Sequence, residues 1–129
     1  MKTKVYYADT DAGGVVYYAN YYRYFEAARA ALLRAHGRNN HDMLEWGVAL
    51  PVIESHCKYK SPAHYEDLLE VEVGIGKVGG ASVRFVYTIK RQETVLAEGY
   101  TVHACVNSET GRPQRIPPEL DTILATEPG

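Results

Sequence analysis

The chain has 129 residues, of which 46% are hydrophobic and 23% are charged, as is usual for one globular domain. We therefore expect a single domain over residues 1–129. A net charge of −2 leaves no basic surface for a nucleic-acid backbone. No apolar run approaches the roughly 18 residues of a membrane span, and the N-terminus shows no signal-peptide core. We expect a cytoplasmic protein with no nucleic-acid binding and no stable membrane insertion.

The cysteines and histidines give no sign of a metal site or a disulfide. Cys57 and Cys105 lie far apart in alternating apolar segments and form no C-x-x-C pair, which predicts buried, reduced thiols. The histidines show no H-E-x-x-H or comparable ligand spacing, and each is interpreted as a surface or core residue. They are His36, His41, His56, His64 and His103. We expect neither a metal nor another cofactor.

A long amphipathic helix is predicted over about residues 18–36. Its apolar positions recur at spacings of three and four, which is typical of one helix face packed on a core. These positions are Tyr18, Tyr21, Phe25, Ala28, Leu32 and Ala35. Gly37 follows as a C-terminal stop signal. The helix is long for so small a domain.

Beyond the helix, the hydrophobic period changes to two. Residues 69–75, 83–89 and 100–106 each alternate apolar and polar side chains, which predicts strands with one exposed face. Gly79-Gly80 predicts a tight hairpin, so neighbouring strands should be antiparallel. The helix can bury its stripe only against the apolar face of this sheet. The predicted fold class is α+β, a long helix wrapped by an antiparallel β-sheet, with residues 111–118 as an extended or turn segment.

Two acids and two glycines separate a short N-terminal strand from the helix. A strand, a glycine turn and a helix start would aim free backbone N–H groups and the positive helix end at one spot, which suits an oxyanion. A carboxylate from Asp9 or Asp11 could face that spot as a nucleophile or as a base. Composition alone favours the alternative that both acids only shape the turn or cap the helix.

Residues 9–21 read D-x-D-x-x-G-V-V-Y-Y-x-N-Y. This segment resembles the active-site signature of the 4-hydroxybenzoyl-CoA thioesterase family, in particular its YbgC-type, Tol-Pal-associated acyl-CoA thioesterases. The resemblance continues through residues 23–29, 59–67 and 112–120, and so covers nearly the whole chain. It implies a hot-dog fold, a dimer or tetramer, and a thioester substrate carried by CoA or by acyl carrier protein.

The resemblance also implies site residues. Asp11 takes the position of the catalytic carboxylate, Gly14 belongs to the catalytic turn, and the backbone N–H of Tyr18 takes that of the carbonyl-polarising donor. Family members often have His at the latter position, so the role carried over to Tyr18 is that of its backbone. Substrate contacts are expected from Val16, Tyr17, Leu50, Pro51, Val52, Lys60 and Ser61. Residues 49–52 and 58–63 are expected to reach the site from a second subunit, with Lys60 and Ser61 contacting CoA.

The function predicted is therefore hydrolysis of acyl-CoA-type thioesters. A noncatalytic acyl-CoA-binding or scaffolding module remains an alternative, because it would use the same turn and helix end. A hot-dog dehydratase is less favoured, since it would use a His paired with an acid and no His lies in residues 9–21. Residues 74–79 match the G-x-G-x-x-G pattern of dinucleotide-binding sites, but a strand and not a helix is predicted after them. No serine lies in a G-x-S-x-G elbow, so the sequence does not indicate a serine hydrolase. The acyl group, aryl or short aliphatic, is left open.

Overall fold

The computed structural model describes residues 1–38, 43 and 45–126. Five strands form one sheet in the spatial order β1 (Lys2–Lys4), β4 (Leu68–Val78), β5 (Ser82–Arg91), β6 (Thr94–Ala104), β3 (Val52–Tyr59). Every pair of neighbours in this sheet is antiparallel. A separate antiparallel pair joins β2 (Val48–Ala49) and β7 (Val106–Asn107). The helices that lie wholly within the described ranges are α1 (Asn20–Ala35), α2 (Pro118–Thr126) and a 3-10 turn, Tyr7–Asp9. No described helix is long and apolar enough to cross a membrane.

The long central strands confirm the predicted period of two. On β5, Val83, Phe85, Tyr87 and Ile89 are buried, and the residues between them are more exposed. Gly79 lies in the turn that joins β4 to β5, where its N–H donates to Ser82 O at 2.8 Å. The G-x-G-x-x-G match therefore belongs to a strand and a hairpin, as the alternation predicted.

Helix α1 begins two residues later and ends one residue earlier than predicted. Its buried residues are Tyr21, Tyr24, Phe25, Ala28, Leu32 and Leu33. The stop signal acts as expected: Gly37 has φ 73°, and its N–H donates to Arg34 O at 2.9 Å. The Arg38 N–H donates to Leu33 O at 2.9 Å. These two bonds form a Schellman motif, which requires the left-handed backbone that glycine adopts without strain.

The helix packs on the sheet at a position without a side chain. The Phe25 ring stacks on the Tyr87 ring of β5, with centroids 4.3 Å apart and planes 7° from parallel. A Cβ placed on Gly99 of β6 would lie 2.8 Å from Cε2 of Phe25. Gly99 therefore lets Phe25 approach the backbone of the sheet, and this contact fixes the height of α1 above it.

Helix α2 was not predicted from the sequence. Residues 111–117 are irregular, as expected, but α2 begins directly at Pro118 and buries Leu120 and Leu124. Its nine residues are too few for a clear helical period. The available signal was proline at the first helical position followed by Glu119 and Asp121 in the first turn.

The cysteines and histidines mostly lie as predicted. Both cysteines are free; Cys105 is buried and Cys57 is half-buried. His103 is a buried, hydrogen-bonded core residue, whereas His56 and His64 are exposed and His36 is half-exposed. His41 lies outside the described residues.

The close approach at Gly99 predicts a large cost for a single methyl group. Gly99→Ala would push against the Phe25 ring and the His56 carbonyl, so we expect a loss of about 1–3 kcal/mol in the free energy of unfolding. Urea denaturation followed by circular dichroism measures it. Gly80→Ala is the matched control, because no atom lies within 4 Å of its added Cβ, and its effect should stay within about 0.5 kcal/mol. Equal effects of both variants would contradict this account of the contact.

Candidate active site

The two acids and two glycines form a small hairpin ahead of α1. Thr10 and Val16 pair across it, and the Asp11 N–H donates to Val15 O at 2.9 Å. The Gly14 N–H donates to Asp11 O at 3.0 Å, and Gly14 has φ 80°. The glycine turn therefore closes the hairpin and does not lead directly into the helix. Because the Gly14 amide is already bonded, we expect Gly14 to act on the site only by shaping this turn.

The Asp11 carboxylate is held by its own turn. Its Oδ1 accepts the N–H of Gly13 at 2.8 Å, and a Cβ on Gly13 would lie 3.2 Å from that oxygen. The side chain is otherwise exposed. This arrangement fixes one carboxylate oxygen and leaves the other facing open space, as a nucleophile or base requires.

Asp11 lies on the wall of a pocket of about 310 Å³. The described lining residues are Asp11, Val15, Val16, Tyr18, Tyr21, Tyr59, Lys60, Ser61 and Pro62. Five predicted site residues lie together here within one chain: Asp11, Val16 and Tyr18 from the signature, and Lys60 and Ser61 from the wider resemblance. Lys60 and Ser61 line this pocket within their own chain, and their contribution to the site of a second subunit stays a prediction.

Tyrosines form one wall of the pocket. The Tyr59 ring centroid lies 5.0 Å from that of Tyr21 and 6.4 Å from that of Tyr18, both in edge-to-face geometry. The Tyr59 hydroxyl donates to Tyr18 O at 2.9 Å. Burial and the neighbouring Cys57 and tyrosines raise the pKa of Tyr59, so it remains a hydroxyl donor at neutral pH. Tyr59 thereby fixes the backbone at Tyr18.

The start of α1 supplies free amides beside this wall. The first backbone bond of the turn runs from the Asn20 N–H to Tyr17 O, at 2.8 Å. The amides of Tyr18 and Ala19 precede that bond and have no acceptor within the turn. They form the positive end of the helix dipole, where a developing negative charge is stabilised.

Asp9 has a different environment from Asp11. Its Oδ2 accepts the Tyr6 N–H at 2.9 Å and the Tyr24 hydroxyl at 3.3 Å. Its backbone carbonyl accepts the Tyr17 N–H and the Asn20 side-chain amide, each at 2.9 Å. Burial and the Asp9 charge together raise the pKa of Tyr24. Asp9 therefore ties the hairpin to α1, the scaffolding role expected for one of the two acids.

The segment after β3, residues 60–67, completes the pocket and is held in place by hydrogen bonds that lie outside the pocket. Val16 N–H donates to Ala63 O at 2.9 Å, which joins the hairpin to this segment. Asp67 Oδ2 accepts the His64 N–H at 2.8 Å and Arg91 Nη1 at 2.7 Å. Partial burial raises the pKa of Asp67, but these two donors outweigh it, and the pKa lies below its usual value. These hydrogen bonds hold Ser61 and Pro62 at the pocket.

Lys60 lies at the pocket with its charge already compensated. Its Nζ is 3.2 Å from Glu98 Oε2, and both side chains are well exposed. Such an exposed pair contributes little stability, about 0–1 kcal/mol. A phosphate or another anion can therefore displace Glu98 at small cost.

The remaining predicted site residues do not line the Asp11 pocket. The Tyr17 ring lies beside that of Tyr18 in a tilted arrangement, with centroids 4.9 Å apart and planes at 53°. Its hydrogen bond with Tyr18 raises the pKa of Tyr17, and the charge of Asp11 adds a smaller effect. Leu50 lines a different cavity, whereas Pro51 and Val52 are exposed at the start of β3. Their contribution from a second subunit stays a prediction.

Four lining residues were not named individually as site residues, although two of them, Tyr59 and Pro62, belong to residues 58–63, which were expected to reach the site from a second subunit. Val15 lies inside the signature, and Tyr59 and Pro62 lie in a segment that carries the family resemblance, so their positions were available as a signal. Tyr21 was assigned to the core stripe of the helix. Its ring is buried, yet it also lines the pocket at the first turn of α1.

Comparison with solved structures identifies the fold. A hypothetical protein from Aquifex aeolicus superimposes with a TM-score of 0.91 at 31% identity, over 96% of this chain and 97% of that chain. A 1,4-dihydroxy-2-naphthoyl-CoA thioesterase from Synechocystis gives a TM-score of 0.90 at 26% identity, over 98% and 94% of the two chains. The architecture is the hot-dog fold, α+β with the helix packed on an antiparallel sheet, as predicted.

Sequence comparison identifies the family. Residues 5–124 match the model of the Thioesterase-like superfamily. Acyl-CoA thioester hydrolase YbgC of Escherichia coli O6:H1 is 36% identical over 118 residues, which cover 91% of this chain and 88% of that protein. The chain therefore belongs to the thioesterase-like superfamily, and its resemblance to the YbgC-type thioesterases is confirmed.

The bonds of Asp9 predict a stability effect that Asp11 does not share. Asp9→Ala removes the acceptor of the Tyr6 N–H and the Tyr24 hydroxyl, so we expect a loss of about 1 kcal/mol in the free energy of unfolding. Asp11→Asn keeps an oxygen that can accept the Gly13 N–H, and its effect should stay within about 0.5 kcal/mol. Urea denaturation of the two variants provides the test. A larger loss in the free energy of unfolding for Asp11→Asn than for Asp9→Ala would refute the scaffolding role of Asp9.

Proposed function

We propose that this protein is a thioesterase that hydrolyses acyl-CoA thioesters to a free acid and CoA, with Asp11 as its catalytic carboxylate and the cytoplasm as its location. The observation that carries the proposal is that Asp11 and Tyr18 line one pocket. In it, the exposed Asp11 carboxylate is held by its own turn and lies beside the N-terminus of α1. The names of relatives support the class of reaction, since the E. coli protein is named an acyl-CoA thioester hydrolase. A carboxylate beside a positive helix end is the arrangement that acyl transfer needs.

In the proposed reaction, the thioester carbonyl oxygen accepts a hydrogen bond from the Tyr18 amide. This bond and the helix dipole draw electrons toward the oxygen and make the carbonyl carbon more electrophilic. Val16 and the tyrosine wall contact the acyl group, and Lys60 and Ser61 contact the CoA moiety. Displacement of Glu98 by a CoA phosphate would free Lys60 for that contact.

Two roles are open to Asp11. As a base, it takes a proton from a water molecule whose oxygen attacks the carbonyl carbon; the C–S bond then breaks, and the thiolate leaves and is protonated. As a nucleophile, its free oxygen attacks the carbonyl carbon, and loss of the thiolate leaves a mixed anhydride that water hydrolyses. Both routes yield the same acid and thiol.

Asp11→Asn tests the carboxylate itself. The variant keeps the shape and the bond to Gly13 but loses the charge, so we expect kcat to fall by about 100-fold or more with KM little changed. A free-thiol reagent assay with an acyl-CoA measures both constants, and circular dichroism verifies that the variant is folded. Near-normal turnover by folded Asp11→Asn would disprove the proposed mechanism.

A labelling experiment separates the two roles of Asp11. In a single turnover in H₂¹⁸O with enzyme in excess, the base route places the label only in the product acid. The nucleophile route gives an anhydride, and attack of water at its Asp11 carbonyl places the label in the Asp11 side chain. Mass spectrometry of the peptide that contains Asp11 distinguishes these outcomes.

The acyl group and its carrier are tested with a substrate panel. The relatives act on different acyl groups by name: the Synechocystis structure is that of a 1,4-dihydroxy-2-naphthoyl-CoA thioesterase, whereas the E. coli name specifies only acyl-CoA. The panel contains aliphatic acyl-CoAs of graded length, an aryl-CoA and an acyl carrier protein thioester. Comparison of kcat/KM across it identifies the preferred acyl group and carrier.

The proposal includes a dimer or tetramer, and β3 is the surface that supports it. This strand is an eight-residue edge of the sheet, and it presents Val52 and Ile53 with exposures of 51% and 63%. An open apolar edge is a template for pairing with another strand. Pairing along β3 would also bring Leu50, Pro51 and Val52 of one subunit toward its partner.

Ile53→Lys tests that surface. A lysine on the open edge should oppose pairing, so we expect a shift toward monomer in light scattering after size exclusion, together with reduced kcat/KM. Val78→Lys is the control, because Val78 is an exposed aliphatic residue at the end of β4, away from the edge. A wild-type protein that is a fully active monomer would exclude the proposed assembly.

A further inference from the structure

A second cavity lies between α1 and the sheet, apart from the candidate active site. Its volume is about 280 Å³, and none of its described lining residues is shared with the Asp11 pocket. Its walls are mostly apolar and include Ala30 and Leu33 from the helix and Phe85 from β5. The charged residues Glu26 and Arg29 lie on the same wall of α1. The cavity therefore combines an apolar interior with one cationic group.

A chain of buried hydrogen bonds runs from Arg29 across the sheet. Arg29 Nη1 donates to the Tyr87 hydroxyl at 2.9 Å, and Tyr87 and Thr101 hydroxyls are 2.7 Å apart. Thr101 Oγ1 is 2.8 Å from His103 Nε2, and His103 Nδ1 is 2.9 Å from Leu50 O. A carbonyl can only accept, so Nδ1 carries a proton. In neutral His103, Nε2 then accepts from Thr101, and Thr101 in turn accepts from Tyr87.

This chain leaves Arg29 as the positive group of the cavity. Both ring nitrogens of His103 are already bonded, and burial lowers its pKa, with the Arg29 charge adding to the shift. Arg29 is the only lysine or arginine among the described lining residues, and no ion pair joins it to a described carboxylate. Its bond to Tyr87 holds the guanidinium in place while other N–H donors stay available.

We propose that this cavity binds a small carboxylic acid, with the carboxylate on Arg29 and the apolar body against Ala30, Leu33 and Phe85. A planar guanidinium accepts a carboxylate through two parallel hydrogen bonds, and these are stronger in a half-buried site than in water. The volume lies just below the roughly 300–1,000 Å³ of sites for drug-sized ligands, which suits a short acid. The binding is separate from hydrolysis, although a free acid is also the product class of the proposed reaction.

Glu26 opposes this ligand and supplies a matched control. It lies one helical turn before Arg29, lines the same cavity and is exposed. Its carboxylate repels a bound carboxylate, although water weakens that repulsion. Removing the charge of Glu26 should therefore raise the affinity for a carboxylate, and removing that of Arg29 should lower it.

The test compares hexanoate with hexanamide, which has the same chain length but no charge. Each is titrated into full-length protein with ¹³C-labelled methyl groups, and methyl spectra locate the bound molecule. We expect hexanoate to shift the methyl signals of Ala30 and Leu33 before those of Val15 and Val16, which line the Asp11 pocket. Its Kd should be about tenfold lower than that of hexanamide.

Three variants complete the test. Arg29→Gln should abolish the preference for hexanoate, and Glu26→Gln should lower the hexanoate Kd about two- to fivefold. Ala30→Met should weaken both ligands, because it fills the cavity and leaves Arg29 intact. If Arg29→Gln does not fold, the effects of Glu26→Gln and Ala30→Met decide the question.

Three results would overturn the proposal. They are equal binding of hexanoate and hexanamide, shifts confined to Val15 and Val16, and no effect of Glu26→Gln and Ala30→Met on hexanoate binding. None of these results bears on Asp11, whose role is measured by turnover. A failure of acid binding is therefore distinguishable from a failure of the proposed hydrolysis.

Discussion

The contact of Phe25 with Tyr87 and Gly99 is the constraint on which the rest of the structure depends. It fixes the distance of α1 from the sheet, and therefore where the first turn of the helix lies. Tyr21 follows that position, so its ring reaches Tyr59 at the end of β3, and the Tyr59 hydroxyl reaches Tyr18 O. A helix held farther from the sheet would separate these groups. The packing of the core thus positions the helix amides beside Asp11.

Two acids two residues apart have different environments because one faces the helix and the other faces solvent. Asp9 accepts bonds from Tyr6 and Tyr24 and joins the hairpin to α1. Among the described residues, the Asp11 carboxylate accepts one hydrogen bond, from the Gly13 N–H, and its side chain is exposed at the pocket. The two acids of one turn therefore have separate environments, one that suits scaffolding by Asp9 and one that suits the chemistry proposed for Asp11. A carboxylate with few partners keeps the free lone pairs that a nucleophile or base must use.

Much of the fold could be predicted because its signals are periodic. Helix α1, the stop at Gly37 and the alternation on β4, β5 and β6 all correspond to observed elements, although Tyr18 and Ala35 of the predicted helix stripe are exposed. Strand β3 was not predicted, since almost all of its residues are exposed and it carries little apolar alternation. Helix α2 was missed because it is short. Periodicity detects burial within one chain; β3 offers little burial, and α2 buries Leu120, Ile123 and Leu124 over too short a segment.

The site could be predicted only in part, for a related reason. The signature gave Asp11, Val16 and Tyr18 because they are neighbours along the chain, and the resemblance also gave Lys60 and Ser61. Tyr59 was not named as a site residue because its role depends on a hydrogen bond to Tyr18, which lies 41 residues away in the sequence. Contacts between residues distant in sequence depend on how the sheet and helix pack, so a motif read along the sequence does not reveal them. The hydrogen-bond chain from Arg29 to Leu50 is a second example.

The turn that carries Asp11 is closed by hydrogen bonds among residues 11–15: Asp11 N–H to Val15 O, Gly14 N–H to Asp11 O and Gly13 N–H to Asp11 Oδ1. Its geometry is therefore encoded locally, whereas the tyrosine wall and the segment after β3 come from distant parts of the chain. Substitutions in those distant parts can reshape the space around an acyl group without moving the carboxylate. Such a division lets one lineage keep its chemistry while its substrates diversify, and it identifies the tyrosine wall as the place to begin altering acyl selectivity by directed evolution.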